Sequence, residues 1–379
     1  MEQSKEIVSD HQMAFIFLCY MVGSALVNIP SPLITNAENG AWISLLLTSI
    51  VGFGILIVIL YLNKAHRGST FFEYTKKVYG KWLTYVVIGL LLMLLVIMVS
   101  NIILDVGMFL HNTVMRATPL YIVQGFIFLV AALTIFCGIE VIGRMFTMLI
   151  LFVMAVYGVF LLMIVPVIEP QYILPLTPDG WKPILHGAYF VFGFPYSEVI
   201  LFAILLPFAR QKEAGTLRRG MIVAYILTTL LLLTAVFISI MVLGPIGTKV
   251  KYSLFYISTL IDVQDILTRI EAVMAMSWII GSYMKATIVL YMIHTLFNEM
   301  VGEKSTRIFV FPISFLCLLM SVTLYEHELE FADHVGVIWP LFITIVAVIP
   351  ITLMAAITMI KKRRKRKKRS KEESKELDI

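Results

Sequence analysis

Charge is scarce in this sequence. Only 14% of its 379 residues are Asp, Glu, Lys or Arg, and 60% are hydrophobic, whereas soluble domains carry roughly 25% charged residues. A chain this poor in charge cannot clothe a water-exposed surface, which excludes a soluble globular domain. The basic charge that exists collects at one end. Residues 361–379 hold eleven Lys or Arg against four Asp or Glu, so the formal net charge of +6 belongs to the tail. The basic balance therefore makes no case for nucleic acid. Cysteine is nearly absent too. Cys19, Cys137 and Cys317 are odd in number and lie in apolar runs. They read as small buried hydrophobes, without a disulfide framework or a zinc spacing. The seven histidines show no metal-ligand spacing, and no phosphate loop, nucleophile elbow or clustered nucleophile and base occurs. The expectation is a protein that is not an enzyme and needs neither cofactor nor metal. A cleavable signal peptide is also missing: the first residues are polar, and no small-residue cleavage site follows a short apolar run.

What is abundant is apolar sequence in long runs. A 19-residue window predicts ten spans, at 13–34, 41–62, 82–108, 118–137, 144–168, 184–208, 221–243, 270–297, 308–324 and 335–360. The expected organisation is an all-α transmembrane domain over 1–360 and a basic cytoplasmic tail over 361–379, which anchors topology and contacts anionic lipid. Ten is even, so both termini share a side. That side holds 24 Lys or Arg and the opposite loops hold five, which places both termini in the cytoplasm. Ser9 and Gln12 fit a capping box before span 1. Residues Phe71–Tyr79 predict a short interfacial helix, and Leu254–Val263 another on the outer side. The 169–183 connector carries Pro170, Pro175, Pro178 and Pro183, which favour extended or turn structure. Trp42 is expected at the outer interface. Glu140 with Arg144, and Arg269 with Glu271, read as interfacial ion pairs.

Two spans contain their own interruption. Span 6 holds Ala188-Tyr189-Phe190-Val191-Phe192-Gly193-Phe194-Pro195-Tyr196-Ser197-Glu198, and span 1 holds Gly23-Ser24-Ala25-Leu26-Val27-Asn28-Ile29-Pro30. Gly leaves helical geometry cheaply and Pro removes a backbone donor. Backbone freed at membrane depth must be satisfied by protein, water or ligand. Each break lies in the first span of its half, and span 1 enters from inside while span 6 enters from outside. That pattern predicts a five-plus-five inverted repeat with broken helices 1 and 6 and a binding site at the midplane.

Several stretches together resemble the spore germination permease family, the polytopic membrane subunit of germinant receptors. They are Ser9-x-x-Gln12, Ala37-Glu38-Asn39-Gly40-Ala41-Trp42-Ile43-Ser44, the connector Pro175-Leu176-Thr177-Pro178-Asp179-Gly180-Trp181-Lys182-Pro183-Ile184-Leu185-His186-Gly187, Phe194-Pro195-Tyr196-Ser197-Glu198, and Arg269-Ile270-Glu271. The resemblance spans the chain apart from the basic tail. It implies membership of the amino acid–polyamine–organocation transporter superfamily, location in the inner membrane of the bacterial spore, and two partners: a larger membrane subunit with a soluble domain and a lipoprotein. The implied function is sensing of a small-molecule germinant, an L-amino acid, to trigger germination. The alternative is a proton-coupled amino acid transporter.

The candidate ligand-binding residues are Gly23, Ser24, Ala25, Asp105, Tyr189, Phe190, Phe192, Gly193, Tyr196 and Glu198. The half-helix after Gly23 presents unpaired N–H groups that suit a carboxylate. The carbonyls of Tyr189, Phe190 and Phe192 are expected to be freed by the second break and to suit an ammonium. Gly23-Ser24-Ala25 departs from the superfamily pattern at its third position, and the acid of helix 6 is displaced to Glu198. Glu198 has two readings, a ligand contact or a cap of the second half-helix. Asp105 reads as a ligand or water-path residue, or as an ordinary outer-interface acid. Lys285 is alone among Lys and Arg in lying deep inside a span. By analogy with the superfamily it stands in for a cation between helices 1 and 8, or relays a proton; otherwise it forms a structural ion pair with Glu198.

Overall fold

The computed structural model describes residues 7–175, 180–210, 215–260, 270–302 and 307–377, with side chains as far as residue 364. Arg269, residues 176–179 of the connector and residues 261–263 of the expected outer helix therefore lie outside the described residues. Among the described residues eight helices are long and apolar enough to cross a membrane, and two shorter apolar helices, Leu120–Phe136 and Arg307–Thr323, complete the ten predicted spans.

Span 1 is built from three pieces. α1 (Asp10–Val22) starts at a capping box in which Ser9 and Gln12 satisfy one another's backbone. It stops at Gly23, and after Ser24 the chain resumes as α2 (Ala25–Asn28) and α3 (Pro30–Ala37). Pro30 has no N–H to lose and suits the first turn of α3. Span 2 is α4 (Ala41–Ala65), and the expected interfacial helix is α5 (Phe71–Tyr79), capped by Thr70 and Glu73. Spans 3, 4 and 5 are α6 (Lys81–Thr113), α7 (Leu120–Phe136) and α8 (Gly138–Ile164). Among its described residues the connector makes a 3-10 turn at Pro170–Ile173.

Span 6 enters as α9 (Trp181–Val191), loses helical geometry at Phe194 (φ −148°, ψ 118°), and continues as 3-10 helix over Ser197–Ile204. Span 7 is α10 (Thr216–Leu243). The outer segment then carries α11 (Ser253–Thr259), as far as it is described, and span 8 is α12 (Ile270–Val301). Span 9 contains α13 (Val310–Thr323).

Span 10 differs from the expected single helix. It begins at α14 (Glu328–Asp333) and contains π turns at His334–Ile338 and Thr344–Val348, separated by α15 (Trp339–Ile343) and followed by α16 (Ile349–Leu377). Pro340 and Pro350 explain both turns. Neither supplies the N–H that the carbonyl one turn back requires, so the ladder widens just before each. The early start was hidden because Glu328, Glu330 and Asp333 dilute the apolar signal.

The packing repeats between the halves. α1 of span 1 packs on α10 of span 7, and α9 of span 6 packs on α4 of span 2. α1 also packs on α8 of span 5, as the inner part of span 6 packs on α15 and its π turns in span 10; α6 and α12, the third spans of their halves, pack on each other. This is the five-plus-five inverted repeat. The ends of the broken spans on the side of the termini are joined: Val8 N–H donates to the Phe208 carbonyl and Arg210 N–H donates to the Val8 carbonyl, both at 2.9 Å.

Candidate functional site

The two breaks flank a cavity of about 690 Å³. Its walls come from the connector-side halves of spans 1, 3 and 6, the segment after α10, and the start of span 10. Ser24, Asn28, Asp105, Phe190, Phe194, Glu198, Lys251, Tyr252, Glu328 and Trp339 are among its lining residues. The rim is exposed at Lys249, Glu328 and Leu329, so the cavity opens on the connector side, opposite the termini.

Helix 1 lies hard against helix 8 beneath this cavity. A Cβ added at Gly23 would sit 2.7 Å from Lys285 Cβ and 2.8 Å from the Gly281 carbonyl. Only glycines permit that approach. It places Lys285 beside the first break, and there its Nζ lies 2.6 Å from Glu198 Oε2. The ammonium also sits 4.1 Å from the centroid of the Phe194 ring and 5.5 Å from that of Tyr20. Tyr20 donates to the Glu198 backbone carbonyl at 2.9 Å, and Trp339 hydrogen-bonds the Glu198 side chain. A fully buried lysine is thereby held by a carboxylate and aromatic faces between spans 6 and 8, behind the part of the cavity wall made by Phe194 and Glu198. Of the readings open for Lys285, an ion pair with Glu198 is the contact the structure contains.

Above the floor, Asp105 of α6 accepts a hydrogen bond from the Asn28 amide of α2. Ser24 Oγ, also buried, has no hydrogen-bond partner. At the mouth, Lys251 forms an ion pair with Glu328. Burial holds the Lys251 ammonium below the ordinary lysine value, while the charge of Asp105 pulls it upward.

The predicted residues divide into two groups. Ser24, Asp105, Phe190 and Glu198 line the cavity. Gly23 and Ala25 are buried behind it, with Gly23 committed to helix 8. Gly193 faces span 10, where an added Cβ would be 2.8 Å from Pro340 Cβ. Tyr196 points the other way, its hydroxyl 3.3 Å from Thr229 Oγ1 and its ring against Tyr225. Tyr189 donates to the Val337 carbonyl at 2.7 Å, in a π turn of span 10. Phe192 packs against the core. Two of the carbonyls expected to be free already have donors: that of Tyr189 accepts from the Phe192 N–H, and that of Phe192 from the Ser197 N–H. The break is closed by a π-type turn rather than left open. Lys251, Tyr252, Glu328 and Trp339 were missed. The signal available was two lysines in the outer 244–260 segment facing an acid-rich start to span 10. Among the described residues no three His, Cys, Asp or Glu side chains gather as a metal-binding group.

Interrupted helices in matched positions, a pseudo-two-fold packing and a one-sided cavity at the breaks define a transporter-type membrane protein. Solved structures agree on the fold. Mutant forms of the manganese transporter of Eremococcus coleocola superpose with TM-scores of 0.59 and 0.60, at 11% identity, covering 95% of this chain and 86% of theirs. The chain belongs to the spore germination protein family of permeases, whose model matches residues 7–329. Spore germination protein KB of Bacillus subtilis (strain 168) is 23% identical over 98% of this chain and 100% of its own. Spore germination protein A2 of the same organism is 28% identical over 57% of this chain and 60% of its own.

Proposed function

We propose that this protein is the ligand-sensing membrane subunit of a spore germinant receptor, and that an L-amino acid binds in the cavity between the broken helices. The observation that carries this reading is the cavity itself: it opens on the connector side, is floored by Glu198, which Lys285 holds from behind, and presents a carboxylate at Asp105 and an ammonium at Lys251. A zwitterion needs one group of each sign. In this reading both termini face the cytoplasm, the chain lies in the inner membrane of the spore, and it works with a larger membrane subunit and a lipoprotein. Binding shifts the population of cavity conformations, and the partners respond to that shift. Lys285 serves as a fixed internal cation.

The test is binding of the twenty L-amino acids to the purified full-length chain, alongside uptake in vesicles holding this chain alone. Saturable binding without uptake, lost in Asp105→Asn, is the expected result. Saturable uptake without partners would instead make the chain a transporter, the alternative that its fold neighbours favour. Binding to no amino acid would overturn the ligand class.

A further inference from the structure

The two ion pairs along the cavity differ in kind. Lys285–Glu198 is sealed, with side chains 0% and 3% exposed, whereas Lys251 and Glu328 are 45% and 46% exposed. A sealed pair cannot exchange partners without stranding a charge. A half-exposed pair contributes little to stability and exchanges readily. The pair at the mouth also shows that a carboxylate fits against Lys251 on the cavity wall. Asp105, deeper on α6, accepts from the Asn28 amide and lies beside the Tyr252 hydroxyl, and among the described residues it forms no ion pair.

Resting on the amino-acid reading of this cavity, we propose that Lys251 receives the ligand's carboxylate and that Glu328 occupies that place until the ligand arrives. The incoming amino acid sets its ammonium on Asp105 and its carboxylate on Lys251, and Glu328 is displaced. The segment bearing Lys251 stays docked when this happens. Tyr252 and Phe255 are held in an aromatic cluster with Phe109 and Trp278, the Phe109–Trp278 centroids being 4.2 Å apart and the Tyr252–Trp278 centroids 4.9 Å apart. Ser31 also hydrogen-bonds the Val250 carbonyl. The element released is therefore α14, the start of span 10. On either side of it the polar ties that remain are Tyr325, which bonds both Asn101 and His334, and Tyr189, which donates to the Val337 carbonyl. Ligand binding is converted into freedom at the outer end of span 10, whose π turns already interrupt it.

The test uses the full-length chain in lipid nanodiscs, first with each L-amino acid, then with the methyl ester and the decarboxylated amine of the tightest binder. A lost charge-assisted contact is expected to weaken binding by about tenfold or more. The ester and the amine should lose that factor on the wild-type protein. Lys251→Gln should lose it for the amino acid and no longer separate acid from ester, while Glu328→Gln should bind the amino acid several-fold tighter. Equal affinity for acid and ester on the wild-type protein overturns the proposal without recourse to any variant. Weakening by Glu328→Gln as severe as that by Lys251→Gln also overturns it, because the pair would then be a pillar of the mouth. Absence of amino-acid binding to the wild type, or binding untouched in Asp105→Asn, would sink the cavity reading itself and this inference with it.

Discussion

Lys285 and Glu198 are each expensive alone and tolerable together. Desolvating either ion costs several kcal/mol, and removing one member of such a pair typically costs about 3–5 kcal/mol because the other is left buried and charged. Lys285→Met should therefore lower the folded yield and the thermal midpoint of the detergent-purified protein. Lys285→Met with Glu198→Gln should recover most of the loss, since no buried charge remains. A single variant as stable as wild type would show that the pair does not hold spans 6 and 8 together. At this scale the sequence was informative where a residue was out of place. A lysine deep in a span and an acid in the outer half of span 3 stand out against their surroundings. Lys251 and Glu328 do not, because charge near a loop is ordinary and only the fold brings residues 77 apart into contact. Gly193 shows the opposite failing. Its place at the break was legible, but the side toward which its missing side chain faces, Pro340 of span 10, was not.

Among the elements, α5 carries a dependence on pH. His66 stacks on Tyr74 of this helix, with centroids 5.2 Å apart and planes 18° from parallel, and its Nε2 lies 3.1 Å from Thr358 Oγ1 of α16. Tyr79 hydrogen-bonds the Pro350 carbonyl, and the Phe72 N–H donates to Glu299 at 3.2 Å. Burial first, then the nearby Lys77, Lys361 and Lys362, lower the His66 pKa from its usual 6.5. The folded state thus takes up a proton less readily than the unfolded one. The stability this group contributes is present in full above the unfolded pKa and falls as pH drops below about 6.5. The protection factors of the α5 amides, corrected for the intrinsic slowing of exchange in acid, should fall between pH 7 and 5.5 in the wild type, and His66→Gln should remove that part of the pH dependence; identical protection profiles would discount the His66 contact. Elements with local causes were readable beforehand. Both capping boxes, at Ser9 and Thr70, are written in three-residue spacings, and so is the proline-induced break of span 6. The kinks of span 10 were written too, in Pro340 and Pro350, but an unbroken apolar run overshadowed them.

For the whole molecule, the pattern of two interrupted spans was enough to predict the inverted repeat, because spans 2 to 5 lie between them and an even number of intervening spans makes the two run in opposite directions. The cavity was not predictable in the same way, since it depends on which side chains lean across from spans 3 and 10. The orientation is open to direct test. Thr177, the natural labelling site in the connector, lies outside the described residues, but Gln171 is exposed on the same connector. In a cysteine-free background, Gln171→Cys should react with an impermeant thiol reagent from the side opposite the termini, and a tag at either end should be reachable only from the other side. Labelling of Gln171→Cys from the terminal side would reverse the assigned orientation.

Val8 gives this architecture a clutch. Its two backbone bonds, to Phe208 and Arg210, couple the inner end of one broken span to the inner end of the other, across the two halves of the repeat. While both bonds hold, the loop after span 6 cannot swing without carrying the entry to α1 in step. To slip past α1 it must give up both bonds, each contributing about 0.5–1.5 kcal/mol. That threshold is small on the scale of a ligand's binding energy and large on the scale of thermal jitter. A motion that parts the two halves on the terminal side therefore has to break both bonds together.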